Sequence, residues 1–98
     1  MRKVTASAIQ SFNNNESKTH GSNTRTFFDK ENKITYLFLH ENLIAKKESG
    51  KLFITNAGWQ SNTTKERLNA INGVSIYQKN WVWYLNDKAW DGNLIEIK

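Results

Sequence analysis

Residues 24–55 read TRTFFDKENKITYLFLHENLIAKKESGKLFIT, and this stretch decides the fold. Short runs rich in Thr, Phe and Ile are separated by turn chemistry at positions 29–32, at Glu41-Asn42 and at Ser49-Gly50, which is the pattern of consecutive hairpins. Four strands are expected. The run ITYLFL at 34–39 carries apolar residues on both faces and reads as a central strand covered on both sides, whereas 43–48 and 52–55 alternate as half-buried strands. A second apolar face needs a cover, and the flanking segments are expected to supply it as helices.

On the amino-terminal side, residues 4–14 read as a short amphipathic helix, with Ala8, Ile9 and Phe12 at helical spacing. Thr5 is the expected N-cap, with Val4 and Ile9 as its hydrophobic staple. Asn13-Asn14-Asn15 ends the helix, because Asn competes for backbone hydrogen bonds. Residues 13–23 are polar and read as a surface loop. On the carboxy-terminal side, residues 62–71 form a second expected helix, with Thr63 and Glu66 in capping-box spacing and Asn72-Gly73 as its stop. Strands follow at 74–79 and 81–85, then the turn Asn86-Asp87 and a last strand-like segment, 93–97. The order helix, strands, helix, strands predicts an α+β fold: one small domain over 1–98, an antiparallel β-meander with two short helices. Its parts are the helix at 1–15, the loop at 13–23 and the α+β body at 24–97.

The 98 residues suffice for one core, and 38% hydrophobic with 12% aromatic content disfavours disorder. Without cysteine there is no disulfide framework or thiolate metal site, which fits a reducing, cytoplasmic setting. No apolar run suits a secretory signal or a membrane span, so no membrane association is expected. Fourteen Lys and Arg against nine Asp and Glu give a net charge of +5, which puts anionic partners first. Lys, Asn and Ile together fill 32 positions, however, and A/T-rich coding produces that bias without selection for binding.

Catalytic chemistry finds little support, and no enzyme activity is expected. His40 and Glu41 are adjacent at a strand end, where neighbouring side chains point to opposite faces and do not converge. There is no His-x-x-x-His, no calcium-loop spacing, and the five glycines are too isolated for a phosphate loop, so no metal or cofactor is expected.

Binding chemistry is better represented. The stretch ITNAGWQSNTTKERLN at 54–69 puts a small-residue turn and Trp59 ahead of a helix whose first turns carry Asn62, Thr64, Lys65 and Arg67. Helix N-termini carry free N–H groups and partial positive charge, so an anion site is expected there, with Trp59 available to stack on a base. Ordinary capping by Thr63 and Glu66, with Trp59 as a core anchor, uses the same residues. Trp81, Trp83 and Trp90 form a second aromatic group, in which Trp81, Trp83 and Leu85 are expected on one strand face and one of the four tryptophans is expected to be exposed. Lys46, Lys47 and Lys51 cluster around the Ser49-Gly50 turn, where they could contact phosphate or simply block edge-to-edge aggregation.

Three phrases occur in order: LHENLIA at 39–45, TNAGW at 55–59 with TTKERLN at 63–69, and WYLN at 83–86 with WDG at 90–92. Together they resemble small uncharacterised proteins encoded by tailed bacteriophages, over roughly residues 24–97. The resemblance implies a phage origin and a role in the cytoplasm of an infected bacterial host, and it supplies no catalytic residues. The leading expectation is a non-enzymatic accessory protein that binds nucleic acid through a basic and aromatic surface. The alternative is a module that binds and inhibits a host protein, such as a defence complex or polymerase. Aromatics interleaved with Lys and Arg would favour nucleic acid, and a contiguous patch rimmed by neutral polar residues would favour a protein. A homo-oligomer is a further possibility.

Overall fold

The computed structural model describes residues 2–58 and 60–97. Among them are two helices, α1 (Lys3–Asn13) and α2 (Asn62–Asn69), and nine short strands. The strands are β1 (Lys18–His20), β2 (Thr24–Asp29), β3 (Ile34–Leu39), β4 (Asn42–Glu48), β5 (Lys51–Ile54), β6 (Ile76–Lys79), β7 (Val82–Leu85), β8 (Lys88–Ala89) and β9 (Ile95–Ile97). All pairings are antiparallel. β1-β2-β3-β4-β5-β9 form a six-stranded sheet and β6-β7-β8 a separate three-stranded one, giving the α+β meander with a helix ahead of each group of strands.

Burial in β3 alternates residue by residue. Thr35, Leu37 and Leu39 are buried, while Ile34, Tyr36 and Phe38 are half-buried. Both helices therefore lie on one side of the large sheet, and the expected cover on both faces of this strand is corrected: its second face is open. On the covered side Ala8, Ile9 and Phe12 of α1 and Leu68 of α2 meet Leu37, Ile44, Ala45 and Ile54, and the same core continues through Ile71, Val74, Ile76, Trp83, Leu85 and Trp90. Ile44 and Ala45 are consecutive and both buried because the β3–β4 register skips Ile44, passing from Leu37↔Ala45 to Phe38↔Leu43. Such a bulge breaks the two-residue alternation at one point.

Several local expectations are corrected. Thr5 is not an N-cap: Arg2 holds that position without a side-chain cap, Val4 lies inside α1 rather than stapling it, and Thr5 is buried in the helix. α2 is capped by Ser61, whose Oγ accepts from the Thr64 backbone N–H at 3.1 Å, so Thr63 and Glu66 form no capping box. The loop at 13–23 contains β1, which adds to the edge of the large sheet through pairs such as Thr19↔Arg25. The expected strand at 81–85 begins at Val82, because Trp81 belongs to the two-residue turn Asn80-Trp81 with φ of 52° and 68°. Trp81 thereby leaves the face that Trp83 and Leu85 share.

Candidate nucleic-acid interface

Partners in register across a sheet share a face, so the open side of the large sheet can be read in rows. One row runs Phe27, Tyr36, Lys46, Phe53, Glu96; the next is Arg25, Phe38, Leu43; a third is Asp29, Ile34, Glu48, Lys51. Phe27 stacks on Tyr36 with ring centres 6.3 Å apart, and Tyr36 meets Phe38 at 6.0 Å. Phe27 is 45% exposed, a large value for a phenylalanine within a strand. Cations lie on these rings: the Arg25 guanidinium is 4.2 Å from the Phe38 centroid and the Lys46 ammonium 5.1 Å from that of Phe53. Each is also ion-paired, Arg25 with Glu41 at 3.0 Å and Lys46 with Glu48 at 3.4 Å. The result is an aromatic platform on a rigid sheet with two positioned cations at its surface. Composition gave no pointer to it, because Tyr36 and Phe38 read as part of a strand covered on both sides; the available signal was three strands each bringing an aromatic to the same side.

A second concavity lies between α2 and the β6–β7 hairpin. It measures about 810 Å³ and is lined by Asn62, Lys65 and Glu66 on one wall and by Gln78, Asn80 and Trp81 on the other. Three of the expected site residues, Asn62, Lys65 and Trp81, come together here. Trp81 is 89% exposed and is the single fully exposed tryptophan among the described residues. Lys65 Nζ lies 3.4 Å from Gln78 Oε1 and 5.6 Å from the centre of the Trp83 ring.

The remaining candidates are dispersed. Trp59 lies outside the described residues. Thr64 is buried, its hydroxyl 2.9 Å from that of Ser61, and lines a separate cavity of about 450 Å³ with Leu39, His40 and Ile44. Trp83 and Trp90 are core residues with ring centres 6.3 Å apart; Trp90 donates its indole N–H to the Asn93 carbonyl at 3.0 Å, whereas that of Trp83 meets no partner among the described residues. Lys46, Lys47 and Lys51 are brought together only in part: Lys47 and Lys51 line one concavity with Lys33 and Thr35, and Lys46 lies apart from it. Lys46 faces the open side, whereas Lys47 points to the helix side, donating to the Asn13 carbonyl at 3.0 Å above the Phe12 ring, and burial lowers its pKa. Lys51 is exposed at the end of the β4–β5 hairpin.

Arg67 is the clearest correction. It is 1% exposed, donates to the hydroxyls of Thr5 and Thr24, and pairs with Glu66, so it is a core cation and not a contact for solvent phosphate. Burial alone would raise the Glu66 carboxyl, but the Thr5 hydroxyl and the Arg67 charge together hold it below the ordinary carboxylate range. Among the described residues no group of three or more His, Asp or Glu side chains could hold a metal ion, and no helix is long and apolar enough to cross a membrane.

A family model described as Kyanoviridae Gp96 protein matches residues 1–96. The match includes α1 as well as the body, and the chain belongs to this phage family. Neither a curated protein nor a solved structure matched the chain.

Proposed function

We propose that this member of the Kyanoviridae Gp96 family is a non-enzymatic binding protein whose ligand is single-stranded nucleic acid, held on the open face of the six-stranded sheet. The observation that carries the reading is the aromatic platform of Phe27, Tyr36, Phe38 and Phe53 with Arg25 and Lys46 placed on it. Unpaired bases present π-faces that stack on such rings at about 1–3 kcal/mol each, and an antiparallel sheet with one solvated face is a common support for them. Duplex bases are already stacked, so the platform selects single strands. The interleaving of rings with Arg and Lys favours nucleic acid over a protein partner. The net charge of +5 adds long-range attraction, in the cytoplasm of an infected host where such a protein would meet its ligand.

Arg25 and Lys46 already have carboxylate partners, so stacking contributes more than charge. With about two phosphates neutralised, log affinity against log salt on a single strand should have a slope of about −1.4. Fluorescence anisotropy with labelled single-stranded and duplex oligonucleotides at low and near-physiological salt tests this. Single strands should bind more tightly than duplex, and Phe27→Ala and Phe38→Ala should each weaken binding about 5-fold or more. Absence of binding at low salt, or equal binding of duplex, overturns the reading and directs attention to a host protein as the partner of this face.

A further inference from the structure

We infer that the cleft between α2 and the β6–β7 hairpin is a second, separate binding site, built for one nucleobase that carries a phosphate. It lies on the side of the sheet that carries the helices, and it does not depend on the platform described above.

The argument starts at the turn. Asn80 and Trp81 are both in the left-handed region, at φ 52° and 68°. Asn is common there, but the second position of such a turn normally takes Gly, and a bulky residue at positive φ is strained by about 1–2 kcal/mol. The same residue is the most exposed large apolar side chain among the described residues, with 89% of its surface in water. The same two-residue left-handed geometry recurs at His40-Glu41 and Asn86-Asp87, so the turn belongs to this fold's hairpins; what sets Trp81 apart is that its turn presents a large indole to water beside a concavity. Held at the tip of a two-residue turn beside the cleft, the indole is a preset stacking surface.

The opposite wall supplies a cation. Lys65 projects from α2, with its ammonium 3.4 Å from Gln78 Oε1 and 5.6 Å from the centre of the Trp83 ring. Glu66 also lines the cleft, but its Oε1 receives the Thr5 hydroxyl and the Arg67 guanidinium, so its charge is compensated and does not oppose an anion beside Lys65. The walls are tied together at the base, where the Asn69 amide donates to the Ile76 carbonyl at 3.0 Å and accepts from the Ile76 N–H at 2.6 Å. The amides of Asn62 and Asn80 provide donors and acceptors of the kind that read base edges. The concavity is shallow and open to solvent, so a base would lie against the exposed indole with one side in water rather than being enclosed.

Titration with adenosine monophosphate, adenosine and inorganic phosphate, read by tryptophan fluorescence and by amide chemical shifts, tests the site. The monophosphate should quench the exposed indole saturably and shift the amides of Lys65 and Trp81, adenosine should bind more weakly, and phosphate alone should produce no quench. Trp81→Ala should weaken the monophosphate about 5-fold or more, and Lys65→Gln should weaken the monophosphate but not adenosine. Trp81→Gly, which relieves the turn, serves as a second variant with an undisturbed fold. A dinucleotide whose phosphate is internal will compete if the natural ligand is a strand and will fail to compete if the cleft takes free nucleotides. No saturable response in the millimolar range, or an unchanged response in Trp81→Ala read by chemical shift, overturns the proposal. Phe38→Ala separates the two sites: it should reduce oligonucleotide binding to the sheet and leave the mononucleotide response intact.

Discussion

Arg67 on α2 donates from Nη1 to the hydroxyl of Thr5 on α1 at 2.5 Å, joining residues 62 positions apart in the chain. The hydroxyl in turn donates to Glu66 Oε1 at 2.6 Å, and Arg67 Nε reaches Thr24 Oγ1 on β2 at 3.2 Å. One fully buried guanidinium thus cross-links both helices and the sheet. Removing it leaves polar partners without a donor, so Arg67→Met should destabilise the protein by about 3 kcal/mol in urea unfolding. Thr5→Val, which keeps the shape and deletes the hydroxyl, should cost about 1–2 kcal/mol. Because the residues share one network, the double variant should lose less than the sum of the two. Arg67→Lys should fail to restore stability, since an ammonium cannot serve Thr5, Thr24 and Glu66 at once.

The same network makes stability depend on pH. Glu66 titrates below its ordinary value of 4.5 in the folded state, against the burial that would raise it, because of the Thr5 hydroxyl and Arg67. A carboxyl with a folded pKa below its unfolded one releases its proton more readily in the native protein. Its stabilisation is complete above the unfolded value and is lost as pH falls through the folded one. His20 acts in a higher window: burial and then Lys18 lower its pKa from 6.5, so the native state favours the neutral ring and stability begins to decline as pH falls below that value. Melting temperature followed from pH 8 downward should therefore fall in two stages, with Glu66→Gln reducing the lower one and His20→Gln the upper.

The sequence carried the meander clearly, because strand-forming runs and turns alternate between residues 24 and 54 with little competing signal. What it concealed were faces. The β4 bulge at Ile44 moves a run of residues to the other side of the sheet, and period-two reading cannot see it. Thr5 and Arg67 carried cap-like and phosphate-binding chemistry, yet each found a partner far along the chain, and local propensity holds no information about contacts over such separations. The cleft was half legible: Lys65 and Asn62 were expected at a helix start and Trp81 in an aromatic strand, but only a tertiary contact places the hairpin beside α2. The platform was illegible because Phe and Tyr in strands are usually core, and openness depends on where the helices settle.

Gly92 is a strong point of steric control. Its φ is +90°, and a Cβ there would lie 2.1 Å from the Asn56 side chain. Asn56 cannot easily move away: it is buried, its Oδ1 accepts from the Gly58 N–H at 2.8 Å, and its own N–H donates to the Gly92 carbonyl at 3.0 Å. The same carbonyl accepts from the Thr55 hydroxyl at 2.8 Å. Left-handed strain and overpacking add, so Gly92→Ala should cost about 3 kcal/mol or more in chemical denaturation. Hydrogen exchange should locate the damage first at residues 55–58, the segment that leads into α2.

Lys46 and Lys47 are neighbours in sequence with opposite surroundings, which makes them a matched pair for testing the sheet-face reading. Lys46 shares the open face with Phe53, while Lys47 is turned inward over Phe12 and donates to the Asn13 carbonyl that closes α1. Both substitutions to Gln remove one positive charge, so a purely long-range electrostatic contribution changes equally. If strands bind on the platform, Lys46→Gln should weaken single-strand binding and lower the salt slope by about 0.7, the loss of one phosphate contact. Lys47→Gln should leave affinity and slope near those of the native protein and instead reduce stability by about 1 kcal/mol, because a charge-assisted bond to the helix end is lost. Equal losses of affinity in the two variants would show that net charge, and not the platform, governs binding.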